Sequence, residues 1–179
     1  MHNATQRVTQ SKKILQTALD CISIKGYANT SMRDIADKAG VALSQLNYHY
    51  KNKEGLFMEV IDMTIQTYMK ELETHVMTGK TPKERWQSFI SYFREMLLGN
   101  QKLFKVLFDF TSMALWNSAY GDKLNGFFQD IAALIEKSIL LDDHLKNKIK
   151  KYNTNAIAQM LSSALFGACV KNKTFVSEY

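Results

Sequence analysis

Apolar residues recur at helical spacing along almost the whole chain. Ile14, Leu15, Ala18, Leu19 and Ile22 fall three and four apart and predict one face of a helix over residues 11–25. Gly26 is placed to cap that helix in the left-handed conformation. Ser31 opens a second helix, because its hydroxyl can cap the amide near Asp34, whose carboxylate suits the positive end of the helix dipole. Ile35, Ala36 and Ala39 form its apolar stripe, Gly40 breaks the pattern, and a short helix over 43–49 follows. After Tyr50 a long helix is expected, with Leu56, Phe57, Val60, Ile61, Ile65, Tyr68, Met69 and Leu72 on one face, ending at Gly79. Thr81, Pro82 and Glu84 mark the next start: a capping hydroxyl, a proline in the first turn and an acid three residues after the cap. Trp86, Phe89, Ile90, Phe93 and Leu97 carry this helix to Gly99. Further helices are expected over about 101–116, 122–140 and 143–170, the last open to a break near Tyr152, giving about eight or nine in all.

Composition agrees with an all-α protein. One proline and eight glycines in 179 residues are too few for a turn-rich β-sandwich or barrel. The formal charge of +6 is uneven: residues 1–55 hold 8 Lys and Arg against 4 Asp and Glu, the remainder 15 against 13. A basic segment on a near-neutral body suits a polyanionic partner, and equally a solvated basic face. Cys21 and Cys169 form no CxxC pair or metal knuckle and are expected to be reduced, buried thiols. The first residues, MHNATQRVTQSKK, lack the apolar run of a signal peptide, and no stretch approaches the roughly eighteen apolar residues of a membrane span. A cytoplasmic protein with no membrane partner is expected.

The segment from Thr30 to Phe57, TSMRDIADKAGVALSQLNYHYKNKEGLF, carries the candidate chemistry. Two helices that cross steeply need small residues at the contact and a glycine in the turn, and Ala36 and Gly40 supply both. Ile35, Val41 and Leu46 would close a small core on Ile14, Ala18 and Ile22. Leu43, Ser44, Asn47 and Tyr48 then point outward, with Gln45 near the exposed edge. Amides can pair with adenine edges, a hydroxyl serves base or phosphate, and Leu43 could press on a thymine methyl. His49, Lys51 and Lys53 follow, where donors would meet phosphates.

The elements IAxxAGV, LNYHY and KNKEGLF at these spacings resemble the TetR family of transcriptional regulators. The resemblance implies an amino-terminal three-helix, helix-turn-helix DNA-binding domain, here residues 1–52, and a larger helical effector-binding and dimerisation domain, residues 53–179. It implies that Tyr48 and His49 contact the DNA backbone, that Lys53 binds phosphate, that Thr30 anchors the second helix on the opposite strand, and that Ser44, Gln45 and Asn47 face bases. Two residues depart from the family pattern. Ala42 stands where a serine or threonine is usual, removing a cap and a phosphate contact, and Asn47 stands where a tyrosine is frequent, giving an amide in place of a stacking ring.

The resemblance further implies a homodimer on palindromic double-stranded operator DNA and a small-molecule effector. The last two long helices would form the dimer interface, with Phe127, Phe128 and Ile131 on one and Ile157, Met160, Leu161, Ala164 and Leu165 on the other. Aromatic and methionine residues crowd the middle, and Phe89, Tyr92, Phe93, Met96, Phe104, Phe108, Met113 and Trp116 are the candidate effector wall. Arg94, Glu95, Lys102, Lys105 and Asp109 space themselves mostly as a solvent face, which leaves an uncharged or weakly polar, partly aromatic effector as the expectation. No cofactor or metal is expected: the four histidines lie on different segments, with no HExxH, partnered nucleophile or glycine-rich phosphate loop, so catalysis is not the reading. A ligand-released repressor is expected. An activator, a regulator without effector, and a helical adaptor that has lost DNA binding remain open.

Overall fold

The computed structural model describes residues 2–140 and 153–175, with side chains described for 10–96, 99, 100, 102–140, 153–168 and 171. Eight α-helices lie among the described residues: α1 His2–Lys25, α2 Met32–Ala39, α3 Leu43–Tyr50, α4 Lys53–Val76, α5 Pro82–Gly99, α6 Gln101–Ala114, α7 Ser118–Ile135 and α8 Thr154–Phe175. α7 passes directly into a π-helical turn, Glu136–Leu140, where one continuous helix was expected. No strand occurs among the described residues. α1 begins some nine residues earlier than the apolar pattern indicated, because its polar first turns carry no hydrophobic stripe. The expected stretch over 143–152 and its break at Tyr152 lie outside the described residues, as do the side chains of Leu97 and Cys169.

The local start and stop signals act as their chemistry requires. Ser31 and Asp34 form a reciprocal capping box: Ser31 Oγ accepts the Asp34 amide at 3.1 Å and Asp34 Oδ2 accepts the Ser31 amide at 2.9 Å. Thr81 and Glu84 repeat the device at α5, where Glu84 Oε2 also accepts the Lys80 amide at 2.7 Å. Gly26 and Gly40 take φ of 80° and 68°, the left-handed region that ends α1 and α2 without a Cβ clash. Ala42, at the N-cap of α3, makes no side-chain cap, as its missing hydroxyl dictates.

The described chain forms two compact units. The first holds residues 1–67 and 100–120, the second 68–99 and 121–179. α6 thus joins the amino-terminal helices, a grouping different from a cut at residue 52. In the first unit Ile14, Ala18, Ile22, Ile35, Ala36, Ala39 and Leu46 are buried, with Val41 half-buried beside them. Tyr120 anchors the other part of this core, its ring 5.9 Å from Phe57 and 6.1 Å from Phe110. In the second unit Leu72, Val76, Phe89, Ile131, Ala132, Leu134, Ile135, Ile139 and Ala158 make the core. There Arg85 ties α5 to its surroundings, donating from Nε to the Gly79 carbonyl at 3.0 Å and from Nη1 to the Ser138 carbonyl in the π turn at 3.1 Å.

Hydrogen bonds from the Ser31 side chain and amide, with Lys25 adding a third, lower the Asp34 carboxyl from 3.8 to about 2. A folded value below the unfolded one stabilises the protein above pH 3.8, and that contribution is lost as pH falls toward about 2. The urea midpoint of the protein should therefore exceed that of Asp34→Asn by a constant margin above about pH 5. The margin should narrow through pH 3.8. A margin independent of pH would show that the ionised cap is not what holds α2.

Candidate nucleic-acid interface

α3 is an eight-residue helix with a single buried residue, Leu46, at 0% exposure. Burying that leucine contributes about 1.5–3 kcal/mol and fixes which face of α3 looks inward. The face left outside is made of Ser44, Asn47, Tyr48 and His49, all exposed, with Leu43 and Gln45 half-buried at its edges. Tyr48 is 84% exposed, and the His49 ring stands edge-on to it at 5.6 Å. Exposure of this degree leaves the phenol hydroxyl and the imidazole free for an external acceptor. Gln45 is engaged, its Nε2 donating to Gln10 Oε1 on α1 at 3.2 Å. Lys51 follows α3 with φ of 55°, a conformation that costs a non-glycine residue about 1–3 kcal/mol, and it turns the chain into α4.

Two expected contact residues are held differently. Thr30 is 1% exposed and its hydroxyl donates to the Gly26 carbonyl at 2.8 Å, so it closes the end of α1 and offers no atom to a phosphate. That corrects the expectation of an anchoring contact from its side chain. Lys53 donates to the Ala28 carbonyl at 3.2 Å and lies 4.3 Å above the Tyr27 ring. Burial pushes its pKa down, and the Asp109 carboxylate opposes that shift. An ammonium carries three donors, so a phosphate contact remains open to it.

Sequence reasoning missed the group that positions this loop. Asp109 was placed on a solvent face, yet it is half-buried and its Oδ2 accepts the Tyr27 amide at 2.7 Å. The available signal was its place three residues after buried Val106 and one before buried Phe110, at the edge of the apolar face of α6. Glu54 was also overlooked. Its carbonyl accepts the Tyr120 hydroxyl at 3.1 Å and its carboxylate accepts the Asn117 amide at 2.6 Å. Burial, with Tyr27 and Glu54 adding to it, pushes the Tyr120 phenol above its ordinary range.

The candidate effector residues fall in both units and are described unit by unit. Phe89, Tyr92, Phe93 and Met96 belong to the second unit and Phe104, Phe108, Met113 and Trp116 to the first. Phe89 is fully buried, stacked 5.7 Å from Trp86 and 6.0 Å from Phe93, while Tyr92 donates to Glu71 at 3.2 Å. Phe104 is 2% exposed, whereas Trp116 is 88% exposed. A surface groove of ≈ 380 Å³ in the second unit is lined by Met69, Lys70, Glu73, Asp130, Ala133, Leu134 and Lys137, none of them expected. Of the candidate dimer residues, Met160 is 72% exposed and Ala164 exposed, while Ile157, Leu161 and Leu165 are half-buried. Phe127 and Phe128 are half-buried 5.8 Å apart, with Phe128 edge-on to Phe166 at 5.4 Å. Ile131 is only 5% exposed, inside the core of its own unit, and so has little surface for a second copy, contrary to expectation. No helix among the described residues is long and apolar enough to cross a membrane.

A small helix packed on a glycine turn, with one side buried and the other bare, polar and aromatic, defines a helix-turn-helix module of the DNA-reading class. Residues 14–60 match the bacterial regulatory proteins of the tetR family. The chain is 34% identical over 84 residues to YttP of Bacillus subtilis, described as a probable HTH-type transcriptional regulator, covering 45% of this chain and 41% of that one. It is 32% identical over 81 residues to the HTH-type transcriptional repressor KstR2 of Mycolicibacterium smegmatis, covering 45% and 40%. Each of these alignments thus spans less than half of the relative. The fold matches that of the fatty acid degradation regulator FadR of Bacillus halodurans with a TM-score of 0.74 at 18% identity, over 95% of this chain and 87% of that one. Residues 14–60 are thus similar to the amino-terminal segment of tetR-family regulators, and the fold along the chain is similar to solved members of that family.

If Asp109 fixes the loop between α1 and α2, Asp109→Ala should lose about 1–3 kcal/mol of stability, as expected for a charged acceptor withdrawn from a covered amide. Hydrogen exchange at the Tyr27 amide should rise more than at amides in the middle of α4. Unchanged protection of that amide would show the carboxylate to be dispensable.

Proposed function

We propose that the chain is a dimeric, DNA-binding transcriptional repressor of the cytoplasm that leaves a palindromic operator when a small apolar or aromatic effector binds. The observation that carries this reading is the bare outer face of α3. Ser44, Asn47 and Gln45 present amides and a hydroxyl to base edges, Leu43 presents a methyl group, and Tyr48, His49 and Lys53 grip the backbone. By role the chain divides at 52/53. Repression is favoured by the name of KstR2, and an apolar effector by the aromatic and methionine side chains of α5 and α6. One short recognition helix reads few bases, so two copies are needed, with half-sites roughly 34–36 Å apart. The exposed Met160 and Ala164 face of α8 suits that pairing. α4 runs from Lys53, beside the reading head, to Val76 in the second unit, so its rotation would change the spacing of two recognition helices. An effector that favours the wider state by about 1–3 kcal/mol would weaken operator binding by about 5- to 150-fold.

Retention of the full chain on mixed-sequence DNA tests the reading. Affinity should fall linearly with salt on logarithmic axes, and Lys53→Ala, which removes one phosphate contact from each of the two copies, should make that slope shallower by about 2. Tyr48→Ala should weaken binding at every salt concentration without changing the helical circular dichroism. Retention that ignores salt, or survives both substitutions, contradicts the proposal and favours a helical adaptor that no longer binds DNA.

A further inference from the structure

The third turn of α1 meets α3 at two points. Gln10 Oε1 accepts from Gln45 Nε2 at 3.2 Å, and Ser11 Oγ meets the Tyr50 hydroxyl at 2.9 Å. These contacts grip α3 at its third and its last residue. Both glutamines are half-buried, and the Gln45 amide is held by a neighbouring side chain. We propose that Gln10 is a specificity-positioning residue, which fixes the Gln45 amide in the orientation that reads adenine. The inference rests on the reading that α3 enters the major groove.

The chemistry follows from the donor count. A glutamine amide has two N–H donors and a carbonyl with two lone pairs. With one N–H held by Gln10, Gln45 keeps one N–H and its whole carbonyl. Adenine in the major groove offers N7 as acceptor and the N6 amino group as donor, so a side chain with one donor and one acceptor side by side fits it bidentately. Without Gln10 the amide turns over freely and presents either end to the same base edge. Guanine offers two acceptors there and rewards the donor end alone. Gln10 therefore acts on discrimination, through Gln45, without itself touching the base.

Selection of bound duplexes from a randomised pool by the full-length protein tests this, using the unaltered chain, Gln10→Ala, Gln10→Glu, Gln45→Ala and the double alanine variant. Gln45→Ala identifies the base pair that Gln45 reads. Gln10→Ala should lose about 5-fold or more of the adenine preference at that pair and no other, with binding to mixed DNA and melting temperature retained. The double variant should match Gln45→Ala. Gln10→Glu, whose carboxylate still accepts from Nε2, should keep the preference while binding all sequences more weakly. An undiminished preference in Gln10→Ala, or an equal loss at every position, overturns the inference and leaves the regulator reading intact. Selection of no sequence by the unaltered protein overturns both.

Discussion

The carboxylate of Asp109, held 2.7 Å from the Tyr27 amide, is the constraint on which the loop between α1 and α2 depends. That amide follows Gly26, whose positive φ ends α1 and aims the next peptide away from the helix. A covered amide with no acceptor would cost about 1–3 kcal/mol, so α6 supplies one. From the other side Lys53 holds the Ala28 carbonyl and lies on the Tyr27 ring. The loop is thus gripped by a carboxylate from α6 and an ammonium from α4. Its far end is the capping box of α2, so the place where α2 starts, and with it the attitude of α3, is set by groups from three helices. This explains why α6 belongs to the same compact unit as the amino-terminal helices.

The second unit is built on other terms. Its core is a continuous apolar cluster to which α4, α5, α7 and α8 all contribute, with stacked rings at Trp86, Phe89 and Phe93. Polar ties are few and pointed. Arg85 joins the Gly79 and Ser138 carbonyls, and Glu136 receives Thr154 and Asn155 at the start of α8. α4 contributes residues to both units.

Most of the fold was legible in the sequence, because helices announce themselves through period and caps. Ser31 with Asp34, Thr81 with Glu84, Gly26 and Gly40 each act locally, and each can be read without knowing what packs against it. The outward face of α3 was legible for the same reason: once Leu46 is known to point inward, Asn47 and Tyr48, one and two residues on, must point out. What escaped was tertiary. Asp109 looks like one more charge on a solvent face until the Tyr27 amide is brought to it across 82 positions of sequence. The earlier start of α1 escaped because its first turns have no apolar stripe, and with it the Gln10–Gln45 pair. Thr30 was misplaced because a family motif records where a residue recurs and not which way its hydroxyl turns. Ile131 was misplaced because an apolar helix position reads alike whether it faces its own core or a second copy.

Tyr48 and Trp116 are the most exposed large aromatic residues of the first unit, at 84% and 88%, and they give the central claim an internal control. Hydroxyl-radical footprinting of the protein with and without its selected operator, in the absence of effector, compares them in one sample. If α3 is the reading head, DNA should protect Tyr48 strongly and leave Trp116 as reactive as before. Protection of Trp116 with Tyr48 unchanged would place the DNA elsewhere and contradict the account.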